Sequence, residues 1–204
     1  MKKKQRAGLT LIEILIVVVI LGMLGAGLLT LQYILSKNQT LVIMNYLSID
    51  EANSQISTFI REIRGARSGD NAAYALEVVN DDEIVFYSDI DYDGATDRVR
   101  YTLTSTQLIK GVTEPVGYPA TYPPDQEKAT VLSDNIRNGT TAAFYYYNGD
   151  WPEDVINNPL AQGQRLSQTK TVRIYLMLNQ KADDSDRDYV LDSFGQIRML
   201  KENL

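Results

Sequence analysis

From Ile14 to Leu31 the chain carries no charged residue, and Thr30 is the only hydroxyl among Ile, Leu, Val, Met, Gly and Ala. Such a run is long enough to cross the hydrocarbon core of a bilayer as one helix. Lys2, Lys3, Lys4 and Arg6 lie together before it, which holds the amino-terminal side in the cytoplasm and sends the body across. One carboxylate, Glu13, stands at the entrance to the run.

A secretory signal peptide is one way to read this order: a basic region, an apolar region from Ile14 to Leu24, then small Gly25, Ala26 and Gly27 as a cleavage site. A disposable segment has no use for Glu13, however, and the helical pattern does not stop where cleavage would fall. After Leu35 there is neither proline nor glycine until Gly65. Ile49, Ala52, Ile56, Phe59, Ile60 and Ile63 recur at helical spacing, with Asp50, Glu51, Gln55, Arg61 and Glu62 on other faces. The expected element is a helix from Leu9 to Ala66, roughly 85 Å long at about 1.5 Å per residue. Its first half, 9–35, is apolar all round; its second half, 36–68, has one stripe to bury against a domain.

That domain occupies 69–204. YALEVV (Tyr74 to Val79), EIVFYS (Glu83 to Ser88), DRVRYTLT (Asp97 to Thr104), AAFYYY (Ala142 to Tyr147) and VRIYLML (Val172 to Leu178) are rich in β-branched and aromatic residues and bounded by turn formers. TQLIK (Thr106 to Lys110) and ATVLS (Ala129 to Ser133) are weaker strands of the same kind. GVTEPVGYPATYPPDQEK and NGDWPEDVINNPLAQGQRLSQ, rich in Pro, Gly and Asn, read as irregular loops. The fold class is therefore α+β, a long amino-terminal helix packed against a mainly antiparallel β-sheet head.

Composition narrows the chemistry. The 204 residues include no cysteine and no histidine, which excludes disulfides, thiolate nucleophiles and the commonest general base and zinc ligand. The net charge is −6, and without the four amino-terminal bases the body has 16 basic against 26 acidic side chains, about −10. So acidic a surface is a poor partner for nucleic acid.

Within the head, SDIDYDGATDRVRY places Asp89, Asp91 and Asp93 in alternation, then Gly94 and Asp97. This matches the first half of a calcium loop, DxDxDG. The twelfth position is Arg100, where a bidentate glutamate is needed, and strands flank the segment. Two readings stand: an aspartate-and-glycine hairpin turn that needs no metal, and a Ca²⁺ site of Asp89, Asp91, Asp93 and Asp97. No cofactor is required by the rest of the chain. KADDSDRD, Lys181 to Asp188, reads as a solvated acidic turn; Asn38 and Asn138 fit the glycosylation triplet. Phe144, Tyr145, Tyr146, Tyr147 and Trp151 are divided by strand alternation between core and an aromatic face.

KKKQRAGLTLIEIL resembles the class III signal of type IV prepilins and of the pseudopilins of type II secretion: a basic leader, a glycine, a hydrophobic residue, and glutamate fifth after the glycine. The resemblance implies cleavage after Gly8 by a membrane-embedded prepilin peptidase, methylation of the new amino terminus at Leu9, and assembly through the hydrophobic helix into a filament. Most members have phenylalanine where this chain has Leu9, and many have proline where it has Thr30. Glu13 would then lie one turn beyond a positive amine, and pairing with the amine of a neighbouring subunit would neutralise it and fix axial register. FYSDIDYDGATDRVRYTL also looks like a hairpin of minor pseudopilins and pilins of the J or W type. With the chain length and the absent terminal cysteine pair, it points to a minor subunit. Implied partners are other pilin or pseudopilin subunits, the peptidase, an inner-membrane assembly platform with its ATPase, and the membrane; nucleic acid is not expected. The protein would be single-pass with an extracytoplasmic head before it enters the pilus or pseudopilus, and not an enzyme. The alternative is a membrane-anchored or secreted binding module, or a hydrolase working through carboxylates such as Asp89 and Asp93.

Overall fold

Helix α1 spans Leu11–Arg64 in a computed structural model that describes residues 10–179 and 188–200. The chain divides into two compact units, Met1–Tyr46 and Leu47–Leu204. In the first, the side chains of α1 from Leu11 to Lys37 are almost all exposed although most are apolar. Thr30 does not interrupt the helix: its hydroxyl donates to the Ala26 carbonyl at 2.9 Å, one turn back. The helix ends at Arg64 by tightening, with the Gly65 amide shared between the carbonyls of Arg61 and Glu62.

In the second unit, α1 buries Ala52, Ile56, Phe59 and Ile63, the predicted stripe at three- and four-residue spacing. The stripe covers two antiparallel sheets. One is five-stranded, β1 (Leu76–Val79), β2 (Glu83–Ser88), β3 (Asp97–Thr104), β4 (Gln107–Thr113) and β5 (Lys128–Ser133), in that spatial order. The other contains β6 (Phe144–Tyr147), β7 (Thr171–Leu178) and β8 (Tyr189–Gln196). A single hydrophobic cluster joins them: Phe59 of α1 meets Phe86 and Tyr101 of the first sheet and Phe144 of the second.

Three expectations change. Glu62, assigned above to an outward face, is 6% exposed and holds a buried ion pair. NGDWPEDVINNPLAQGQRLSQ is not irregular throughout, because Gln162–Gln168 forms a short helix, α2. The strand β8 was not foreseen at all. Its core-facing positions are Leu191 and Gly195, and glycine sends no hydrophobic signal. Gly195 is there because of close approach: a Cβ would lie 2.5 Å from Ile63 Cγ2. The aromatic run is mostly core, with Phe144, Tyr146 and Tyr147 buried. Asn138 is 3% exposed; its Oδ1 accepts from the Met177 amide and its Nδ2 donates to the Tyr175 carbonyl. That side chain is closed to a glycan in the folded head. Residues 180–187, which include most of KADDSDRD, and the side chain of Asn38 lie outside the described residues.

Candidate functional site

The start of α1 is capped reciprocally. Thr10 is the residue before the first turn, and its amide and hydroxyl both donate to Glu13 Oε2, at 2.9 and 3.0 Å. The Glu13 amide donates back to Thr10 Oγ1 at 3.3 Å. This is a capping box, which satisfies backbone donors that a helix start otherwise leaves orphaned. The T-x-x-E spacing was visible in TLIE, and Thr10 is the functional residue that reading Glu13 as a charge alone overlooked. Both Thr10 bonds use one oxygen; Oε1 carries no hydrogen bond among the described residues. Gly8 and Leu9 lie outside the described residues. Beyond the box, Leu11–Lys37 is a stretch of 27 residues long and apolar enough to span a membrane, and none of its most apolar window is buried.

In the loop between β2 and β3, Asp89, Asp91 and Asp93 each bring one carboxylate oxygen within 4.8 Å of the others. The turn is self-supporting: the Asp93 amide donates to Asp91 Oδ1 and the Ala95 amide to Asp93 Oδ1, at 3.3 and 2.7 Å. Gly94 takes φ +95°, a conformation that disfavours side chains. Arg67, just past α1, supplies a cation to this loop. Its Nη2 donates to the carbonyls of Gly94 and Ala95, at 3.0 and 3.2 Å, and lies 3.4 Å from Asp89 Oδ2. Asp89 Oδ1 is buried without a partner.

Asp97 is not part of the cluster. It is 4% exposed, accepts from the Ile90 amide with Oδ2, and its carboxyl is pushed up to about 6 by burial and then by the charges of Asp91, Asp93 and Glu114. The three remaining carboxylates form a weak acidic cluster that could chelate a metal, and their oxygen donors fit calcium. The arrangement contains no nucleophile and base pair of the hydrolase type among the described residues, and the fold is consistent with a non-enzymatic structural subunit.

A search of curated proteins finds no match to the chain. Residues 3–29 match the family model of the prokaryotic N-terminal methylation motif. With that prepilin-type motif, and an apolar helix that goes on to pack on a β-sheet head, the chain is consistent with the broad type IV pilin and pseudopilin family.

Proposed function

We propose that the chain is a structural subunit, of the minor kind, of a type IV pilus or a type II secretion pseudopilus. One observation carries the reading: Leu11–Lys37 presents an apolar helical surface that no other described residue covers, led by a carboxylate with one oxygen that carries no hydrogen bond among the described residues. Lipid covers such a surface in the membrane, and packing against like helices covers it in a filament. A prepilin peptidase would remove residues 1–8 after Gly8 and methylate Leu9; an inner-membrane platform with its ATPase would then drive assembly. The new amine would stand next to Thr10. Glu13 would keep its cap through Oε2 and accept a neighbouring subunit's amine with Oε1.

Mass spectrometry of the mature protein tests the processing step: a start at methylated Leu9 is expected, and an intact leader or a start near Gly27 favours the anchored or secreted binding module instead. Two substitutions separate capping from charge. Glu13→Gln retains an acceptor at the third helical position, which suits a capping box, whereas Glu13→Ala loses both roles. Both are expected to be cleaved and inserted, and both to lower filament abundance about tenfold or more, the effect of losing about 1.4 kcal/mol per subunit contact. Normal filaments from Glu13→Gln would show that the charge is not needed.

A Ca²⁺ ion held by Asp89, Asp91 and Asp93 is a second reading, favoured by the unpartnered Asp89 Oδ1. Millimolar Ca²⁺, but not Mg²⁺, is then expected to raise the Tm of the head, because a ligand bound only by the native state stabilises it. An unchanged Tm leaves the metal-free turn, braced by Arg67.

A further inference from the structure

Among the described residues, Arg67, Arg98, Arg100, Arg165 and Arg173 each have a carboxylate within salt-bridge distance. Arg61, Arg64, Arg137 and Arg198 have none. Three of those four, Arg61, Arg64 and Arg198, line one cavity of about 320 Å³ beside the last turns of α1. In a body with about ten more acidic than basic side chains, unpaired cations are scarce, and here they converge.

Helix chemistry explains part of this convergence. Basic side chains in a last turn interact favourably with the helix dipole, which accounts for Arg61 and Arg64. It does not account for Arg198, which arrives from the far end of the sequence. Two carboxylates also line the cavity: Glu62 pairs with Lys110 at 2.5 Å, and Asp89 meets Arg67 through Oδ2 at 3.4 Å while its Oδ1 is buried without a partner. Arg61, Arg64 and Arg198 are left without a direct carboxylate partner among the described residues. Ile60 and Ile90 add apolar wall, and Tyr92, 77% exposed, adds an aromatic rim. The guanidinium fork matches a carboxylate in two parallel hydrogen bonds, and the apolar wall suits the methylene stem of an acidic side chain.

We propose that this cavity is a docking site for a carboxylate-bearing segment of a neighbouring pilin-like subunit, received by Arg61, Arg64 and Arg198. The proposal rests on the filament reading above and names the chemistry of one of its contacts. Two heads as acidic as this one repel when brought side by side; a local basic cavity replaces that repulsion with a fixed, complementary contact and so selects orientation.

The test uses full-length protein in non-denaturing detergent and a short fluorescein-labelled peptide of alternating glutamate and serine, read by anisotropy. Saturable binding that weakens with salt is expected. The double substitution Arg61→Gln with Arg198→Gln should weaken it about tenfold or more, the corresponding lysine double substitution much less, and Arg137→Gln not at all. Arg61 and Arg198 are exposed, whereas Arg137 is half-buried with its Nε donating to the Asn179 carbonyl, and an unchanged Tm in each variant shows that folding is intact. No saturable binding, or equal binding by the double glutamine variant, overturns the proposal. So does displacement of the peptide by sulfate at concentrations where chloride of equal ionic strength has no effect, which would make the cavity a site for free oxyanions. Absence of the chain from sheared filaments would refute the filament reading and leave this binding result standing, so the two fail separately.

Discussion

Replacing Phe59 by alanine is expected to lower the unfolding free energy of the head by about 3–5 kcal/mol, the range for deleting a buried aromatic side chain. Phe59 is fully buried. Its ring stands edge-on to Tyr101 with centroids 5.0 Å apart, edge-on to Phe86 at 6.3 Å, and tilted against Phe144 at 5.7 Å. These partners come from β2, β3 and β6, so one helix residue ties both sheets into one core, and rings cannot collapse into the cavity as methyl groups can. Aromatic pairs add about 0.5–1.5 kcal/mol beyond their area, which places the loss toward the upper end. The loss corresponds to a fall in Tm on the order of 10 °C. Urea unfolding of the full chain in mild detergent should show a lower midpoint with an unchanged slope. A loss below about 1 kcal/mol, under the range for large-to-small core changes, would mean that the helix and the two sheets are not one cooperative unit.

The stripe that carries Phe59 was legible because Ala52, Ile56, Phe59 and Ile63 repeat at the helical period, and β2 and β3 were legible to the residue because β2 is a short run of β-branched and aromatic residues buried on both faces, β3 alternates, and their turns are marked by Asp and Gly. Other features were hidden for identifiable reasons. β8 turns a glycine toward the core, and the need for that glycine lies in Ile63, more than a hundred residues away. The separation into two sheets depends on where β6 goes after a long connection, which local periodicity does not encode. Asp97 has the spacing of a fourth calcium ligand, yet as the first residue of β3 it is buried and set apart from Asp89, Asp91 and Asp93. TLIE was read as a charge at a membrane boundary, while the same letters also spell a capping box that engages one oxygen of the Glu13 carboxylate. Arg61, Arg64 and Arg198 could not be grouped from the sequence at all, since their meeting depends on the tertiary fold.

Glu62 is the position where helical periodicity most misleads, and it yields the second large effect. Its Oε1 accepts from Lys110 Nζ at 2.5 Å and its Oε2 from the Tyr101 hydroxyl at 2.7 Å. Lys110 and Tyr101 face each other across β4 and β3, so the carboxylate from α1 is received by a cross-strand pair. Burial, reinforced by Glu62 beside it, pushes the Tyr101 phenol far above its usual range, which keeps it a donor at any physiological pH. Lys110→Met is expected to cost about 3–5 kcal/mol, because it leaves the Glu62 charge buried with one neutral donor. Adding Glu62→Leu relieves that charge but leaves the Tyr101 hydroxyl without its acceptor, a residual cost of about 1–3 kcal/mol. Adding Tyr101→Phe as well replaces the whole polar set with apolar groups of similar shape, and stability should return to near that of the starting protein or exceed it. A stepwise recovery through the three variants identifies a set of groups whose value lies in being complete. If Lys110→Met alone were neutral, water would have to reach the Glu62 carboxylate, and the helix would be less tightly seated on the sheet than its burial of Phe59 implies.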